Sequence, residues 1–249
     1  MPDSTEERDG TMGFLEHLDE LRSRLLRCAI AFILAFAICW SVSGTILQLL
    51  LDPIRKHLFE GGEIVFINLT EPFAVYMKAS ALLGIFLASP YFLYQVWGFV
   101  APGLYRKERR MVVPFLLFGT LFFVGGGVFG YLVATPAAAR WLLALGEDFT
   151  AKLTLRSAFQ FQSSIILGMG VVFELPVLIS LLSSMGLVTP RFLMRHFRTA
   201  VLIIAVLAAI ITPTGDITTM SIFAGPMVLL YLLGVAVSWF FSGRSGRGN

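Results

Sequence analysis

The sequence predicts an all-α polytopic membrane protein, and two observations predict it: the composition and the lengths of the apolar segments. Of the 249 residues, 57% are hydrophobic and only 14% are charged, a balance that a water-solvated surface could not carry. A helix needs roughly 20 apolar residues to cross the hydrocarbon core, so six spans leave room only for short loops and tails. We expect one membrane domain over residues 1–249, with a cytoplasmic tail and surface helix at 1–28. The six predicted spans are 29–51, 79–101, 111–133, 163–185, 199–211 and 217–241.

The fifth segment is shorter than the others. Residues 199–211 make a helix of only about 20 Å, and the turn Thr212–Asp216 follows at once. Helices 5 and 6 are therefore predicted to form a tight hairpin that is short for the bilayer. Local thinning of the membrane, or a recessed tip, is expected there.

The positions of the basic residues predict the orientation. Lys and Arg in short loops resist translocation, and 13 of the 19 lie in the two tails and in the second and fourth loops. The other six lie in the alternate loops or, as Lys78, at the edge of helix 2. Both termini are therefore predicted to be cytoplasmic.

The exterior loops, about 52–75 and 134–160, are longer than the cytoplasmic ones and should cap a concave bundle. A short interfacial helix is expected from Asp52 to Leu58. On the cytoplasmic side, the segment Phe14–Leu26 has apolar residues at helical spacing and should lie along the membrane surface before turning into helix 1.

The usual intramembrane catalysts lack their parts in this sequence. His17, His57 and His196 all lie outside the predicted spans, so a serine–histidine dyad or a zinc site at membrane depth is not expected. Gly215-Asp216 is similar to an aspartyl motif, but no second membrane aspartate could share its proton. No phosphate-binding loop is present either. We expect no enzyme, no cofactor and no metal.

Glu174 is the one clear carboxylate within a predicted span, and one such residue does not line a pore. Pro176 cannot donate to the carbonyl of Val172, so a free acceptor is expected nearby. Two interpretations stay open at this point. Glu174 is either a polar contact site for a substrate or partner, or one side of a structural hydrogen bond between helices.

Two acidic positions stand out on the basic cytoplasmic surface. Glu20 follows Glu16 and Asp19 on the surface helix, and Glu108 stands alone within Arg106–Arg110. Such carboxylates could receive guanidinium groups of an incoming chain in bidentate geometry. Alternatively, each carboxylate only neutralises its own basic neighbours.

Helix 3 contains four closely spaced glycines. They are predicted to permit close packing against a neighbouring helix. These residues are Gly125, Gly126, Gly127 and Gly130.

Five segments give the chain its resemblance to a known family. Their order and spacing over essentially the whole chain resemble the TatC family, and the third segment is highly specific. The segments are His17–Arg24, Thr70–Phe73, Tyr94–Arg110, Phe173–Pro176 and Thr212–Asp216.

The resemblance implies a receptor subunit of the twin-arginine translocase, which exports folded proteins across the bacterial cytoplasmic membrane using the proton-motive force. By the same resemblance, Glu20 and Glu108 match positions that recognise the signal peptide. Phe99 belongs to the same patch, and Arg22 and Arg24 lie within its first motif.

Other motif positions have implied roles in structure or partner contact. Glu174 matches a buried helix 4 glutamate, and Pro53, Phe73 and Asp216 match further positions. Met220 stands where a Gln is often found.

The implied partners are twin-arginine signal peptides, membrane lipid, and TatA-like and TatB-like single-span subunits docking near helices 5 and 6. A multi-copy complex is expected, and nucleic acid is not. In the mechanism we infer, signal-peptide arginines meet Glu20 and Glu108 while the apolar stretch enters toward Glu174. The alternative is a small-solute secondary transporter in which Glu174 couples to protons; the lack of internal repeats argues against it.

Overall fold

The computed structural model describes residues 14–58, 61–100, 112–146, 148–212 and 216–245, and these residues are mainly helical. Five of the described helical segments are long and apolar enough to cross a membrane, and Phe197–Ile211 is a shorter apolar helix. The predicted membrane class is therefore confirmed. The count of six spans and the side on which the termini lie stay predictions. The helices are α1 (Phe14–Ser41), α2 (Ser43–Arg55), α3 (Glu71–Val100), α4 (Val112–Phe129), α5 (Thr135–Ala144), α6 (Leu155–Phe173), α7 (Leu175–Ser184), α8 (Pro190–Arg195), α9 (Phe197–Ile211) and α10 (Ile217–Ser245).

Helix α1 corrects the prediction for the N-terminal part. The expected turn between a surface helix and helix 1 is wrong, because α1 runs without interruption from Phe14 to Ser41. The apolar run 29–51 is not one helix either, since it breaks at Val42, whose φ of −118° and ψ of 19° are not helical. The rest of that run belongs to α2, which replaces the helix expected from Asp52 to Leu58.

Most other helices begin earlier or end later than the predicted spans. Helix α3 starts at Glu71 instead of 79, and α6 starts at Leu155 instead of 163. The third segment continues past 133 through a π turn, Gly130–Ala134, into α5, so the exterior loop expected from 134 is shorter. Which part of each helix lies in the membrane stays a prediction.

A two-stranded parallel sheet was not expected from the sequence. Strand β1 (Glu63–Val65) pairs with β2 (Lys152–Thr154), with Ile64 opposite Leu153. Strand β2 ends directly before α6, and β1 ends a few residues before α3. The sheet therefore joins the two segments that lead into these helices.

The exposed face of α1 shows how the chain meets lipid. Ile33 and Leu34 are each 62% exposed, whereas Ala35 and Cys39, one turn apart, are buried against the rest of the bundle. Large apolar side chains that no described residue covers are expected where hydrocarbon is the solvent.

The packing of α4 against α6 depends on glycine. A Cβ built on Gly126 would lie 2.5 Å from the backbone oxygen of Met169, and one on Gly130 would lie 3.1 Å from that of Ile165. Gly127 faces the ring of Phe86, while Gly125 faces open space. Close packing, predicted for these glycines, is confirmed at three of the four positions.

We predict that Gly126→Ala lowers the free energy of unfolding by about 1–3 kcal/mol, because the added methyl group forces α4 away from α6. Thermal unfolding in detergent, followed by circular dichroism, measures this. Gly125→Ala is the matched control, and it should be neutral or slightly stabilising because alanine favours the helix. Equal losses in the two variants would contradict the packing argument.

Candidate functional site

The candidate site is built around Glu20 and Arg24, which are one turn apart on α1. The Nε and Nη2 groups of Arg24 donate to Oε1 of Glu20 at 2.9 Å and 2.6 Å. Each side chain retains only 20% of its exposure, so this pair is better shielded from solvent than a typical surface ion pair. Glu20 therefore binds a guanidinium group in the structure, and that group is the chain's own.

The same guanidinium joins α1 to the last turns of α3. Its Nη2 donates to the backbone oxygen of Gly98 at 2.8 Å, and its Nη1 donates to Oε1 of the buried Gln95 at 3.2 Å. Residue 102 is a proline and cannot donate to the carbonyl four residues earlier, so Arg24 supplies the Gly98 oxygen with a donor that Pro102 lacks. A Cβ at Gly98 would collide with the guanidinium, which explains why the close approach occurs at a glycine.

The other predicted residues of this patch lie at different positions. Phe99 is half-buried and directly follows Gly98, so the structure brings it to the same end of α3. Arg22 is exposed and lies about 200° around the helix from both Glu20 and Arg24. Glu108 lies outside the described residues, so its predicted convergence with Glu20 stays a prediction.

Glu174 lies in the break between α6 and α7. Its carboxylate packs against α4, since a Cβ built on Gly119 would lie 3.4 Å from Oε2 and 3.6 Å from Oε1. Oε1 is buried, and no described residue donates a hydrogen bond to it. A structural hydrogen bond between helices is therefore not seen at Oε1 among the described residues, and the role of Glu174 stays a prediction.

The expectation of a free carbonyl at Val172 stays a prediction. The backbone N–H of Glu174 closes α6 and is directed at the oxygens of Val171 and Val172, with a bond of 3.1 Å to Val171. Pro176 still limits the helix, because α7 begins only after Glu174.

Pro53 has a structural contact that explains its place in α2. Proline cannot donate to the carbonyl four residues earlier, which is that of Leu49. The hydroxyl of Tyr131 donates to this oxygen at 2.9 Å. Pro53 thereby opens an acceptor through which α2 binds the π turn that follows α4.

Three other motif residues also have identified contacts. Asp216 caps α10 by accepting from the N–H of Thr219 at 2.7 Å. Phe73 is exposed and meets Trp40 edge to face, with ring centroids 5.9 Å apart. Met220 is half-buried and packs against the core formed by α6, α9 and α10.

Sequence reasoning missed Gln95, Gly98 and Gln162. Gln162 on α6 is fully buried, and neither of its amide atoms has a hydrogen-bond partner among the described residues. A glutamine inside an apolar segment is a detectable signal for such a position. The contact of Gly98 with Arg24 left no local signal, because these residues are far apart in the chain.

Comparison with known proteins shows the family to which the chain belongs. The family model described as Sec-independent protein translocase protein (TatC) matches residues 16–226. The chain belongs to the TatC family. That family is a protein translocase component and not a family of catalytic enzymes, so the chain is a translocase subunit and a multi-pass protein of the inner membrane.

Relatives and solved structures agree with this family. The chain is 42% identical to the TatC protein of Koribacter versatilis (strain Ellin345), over 95% of this chain and 88% of the relative. It is 35% identical to TatC of Escherichia coli (strain K12), over 97% and 93% respectively. A solved structure described as the twin arginine translocase receptor TatC covers 91% of this chain and 100% of its own, with a TM-score of 0.81 and 33% identity.

We predict that Arg24→Lys frays the end of α3, because a single ammonium cannot reach Glu20, Gln95 and Gly98 together. Backbone amides of residues 97–100 should exchange with deuterium about tenfold faster. Hydrogen exchange with mass spectrometry measures this. Arg22→Lys is the matched control and should leave these amides unchanged. Unaltered exchange in Arg24→Lys would mean that the contact does not hold the helix end.

Proposed function

We propose that this TatC-family protein is the receptor for twin-arginine signal peptides and the core subunit of a translocase that exports folded proteins. The observation that carries the proposal is the guanidinium held by Glu20 and the end of α3. A solved relative with 33% identity is itself described as a twin arginine translocase receptor.

The chemistry of this pair suits recognition of arginine. A carboxylate binds the planar fork of a guanidinium through two N–H groups, whereas an ammonium acts as a single point charge. Arg24 already meets Glu20 through two nitrogens. An arginine of the signal peptide would bind by the same chemistry, either beside Arg24 or in its place.

Glu108 is the proposed second acceptor. Two carboxylates on the same face would match two consecutive arginines better than either carboxylate alone. Glu108 lies among the basic residues of Arg106–Arg110. An arginine of the peptide would therefore replace one of these neighbours beside the carboxylate of Glu108. Phe99 would border this surface, whereas Arg22, predicted for the same patch, lies on the other side of α1 and would not.

Glu174 is the proposed contact for the part of the peptide that enters the membrane. Its buried oxygen has no donor among the described residues, and it faces Gly119, where no side chain intervenes. A polar group of the peptide or of a partner subunit could satisfy it there. The energy source proposed for export is the proton-motive force, in keeping with the absence of a phosphate-binding loop from the sequence.

The partners we propose are single-span subunits, TatA-like and TatB-like, in a multi-copy complex. They would dock at α9 and α10, where α9 has only 15 residues and covers about 22 Å. Such a length is short for a hydrocarbon core of about 30 Å, so the bilayer beside it would be thinned. Both termini are proposed to be cytoplasmic, which puts Glu20 on the side from which cargo arrives.

Binding of a labelled twin-arginine peptide to the protein in lipid nanodiscs tests the receptor function. We expect Glu20→Gln and Glu108→Gln each to weaken binding about tenfold, because each removes a charge-assisted pair. A Lys-Lys peptide should bind less well than the twin-arginine peptide.

Asp19→Asn is the matched control, since it removes a neighbouring exposed carboxylate from the same helix. It should bind the peptide like the parent protein. Equal binding of both peptides by every variant would refute the proposed receptor function.

Photo-cross-linking tests the proposed path of the peptide. We expect a photoreactive residue at Leu93, whose Cδ1 lies 3.3 Å from the Cβ position of Gly119, to capture the bound peptide. Leu117 on α4 is 67% exposed and lies two residues from Gly119, on another side of the helix, so it is the control. Capture only at Leu117 would place the peptide away from Glu174.

A further inference from the structure

A polar cavity lies between α3 and α6 at the end of the bundle opposite Glu20. It has a volume of about 270 Å³, and both helices begin beside it. Each helix contributes residues at positions i, i+3, i+4 and i+7, which form one stripe on a helix surface. The stripes face each other: Glu71, Ala74, Val75 and Lys78 on α3, and Arg156, Phe159, Gln160 and Ser163 on α6.

Two cations line this cavity. Lys78 and Arg156 come from different helices, and both are exposed. No described carboxylate forms a close ion pair with either side chain. The cavity therefore contains positive charge that its own walls do not pair directly.

Glu71 is the carboxylate that lines the cavity, and backbone N–H groups already donate hydrogen bonds to both of its oxygens. Its Oε1 accepts from the N–H of Arg156 at 2.7 Å, and its Oε2 accepts from those of Ile67 and Asn68 at 3.1 and 3.4 Å. It is only 7% exposed and is also attracted by the charge of Arg156. Counting all three charged groups, the cavity retains one net positive charge.

The position of Lys78 along α3 indicates what kind of anion reaches the cavity. Helix α3 has 30 residues and is about 45 Å long, whereas the hydrocarbon core is about 30 Å thick. Residues 79–100 carry no charged side chain and cover about 33 Å. Lys78 therefore marks the boundary between hydrocarbon and headgroups, about 10 Å below the start of the helix.

We propose that this cavity binds the phosphate of an anionic phospholipid from the leaflet opposite Glu20. Lys78 and Arg156 would hold the phosphate oxygens from the two sides. The hydroxyls and amides of Thr70, Asn68, Gln160 and Ser163 would meet the polar part of the headgroup. The buried side chains of Val75 and Phe159 form an apolar floor suited to the glycerol backbone.

A bound lipid would strengthen the contact between the start of α3 and the start of α6, which the chain makes with only a few hydrogen bonds. At this end, Glu71 ties the start of α3 to the start of α6 through a single backbone N–H. A phosphate between Lys78 and Arg156 would add a second tie between the same helices, one helix turn or more deeper.

The test measures lipid retained by the full-length protein in native mass spectrometry, with phosphatidylglycerol and phosphatidylcholine offered together. We expect the parent protein to retain phosphatidylglycerol in preference. Lys78→Gln and Arg156→Gln should each lower its affinity about fivefold, and Lys78→Arg should preserve it. Arg140→Gln removes an exposed cation that lines a different cavity, and it should have no effect.

Three outcomes would overturn the proposal. The first is equal retention of the two lipids by the parent protein. The second is equal retention of phosphatidylglycerol by the parent protein and both Gln variants. The third is displacement of the lipid by inorganic phosphate, which would make the cavity a site for the free anion. Each variant is also assayed for binding of the twin-arginine peptide near Glu20, so a misfolded variant is recognised and the two proposals fail separately.

Discussion

Hydrocarbon offers no water to an unpaired backbone carbonyl, and each proline in the interior of a helical segment frees one. Pro53 frees the carbonyl of Leu49, which the hydroxyl of Tyr131 binds at 2.9 Å. Pro90 frees that of Phe86, which the hydroxyl of Ser89 binds at 2.7 Å. Pro176 frees that of Val172, toward which the N–H of Glu174 is directed. Nearby hydroxyl groups thus restore the pairing of the carbonyls that Pro53 and Pro90 free.

The same constraint acts at helix ends, and there it also creates the functional groups. Gly98 near the end of α3 presents a carbonyl that α3 itself cannot pair, and Arg24 supplies the donor from α1. Arg24 in this position also binds the carboxylate of Glu20, which lies one turn earlier on α1, and directs it toward the same end of α3. The contact that joins α1 to α3 thereby also places a carboxylate against a guanidinium group.

The sequence predicted the apolar segments well because each is long and nearly free of charge, a signal that needs no tertiary contact. It failed at the boundaries. Residues 71–78 and 134–144 are helical but contain charged or amphipathic positions, so a search for apolar runs stops before the helices do. The break at Val42 lies inside an apolar run and follows from how α2 packs against α3 and α6.

The candidate site was predictable to a similar degree and for a similar reason. Glu20 and Glu174 stood out because a carboxylate is rare in their surroundings, whether a basic surface or an apolar helix. Gln95 and Gly98 did not, because their role depends on a contact with Arg24 across more than 70 positions of the chain. A contact of this kind becomes visible only when the helices are packed together.

Helix α3 carries both the guanidinium contact at one end and the cationic cavity at the other, so its stiffness decides whether the two are coupled. The ends lie about 45 Å apart, and interactions at such separations add independently unless a shared element has two arrangements. Pro90 is the one proline in α3 beyond its first turn, and Ser89 satisfies the carbonyl it frees while the helix continues to Val100. Because this carbonyl already has a hydrogen-bond partner, binding at one end of α3 would create no new pairing at Pro90 that favours a second arrangement of the helix. The two ends of α3 are therefore expected to act as separate sites on one rigid element, each organised by the need to pair the polar groups of a helix terminus.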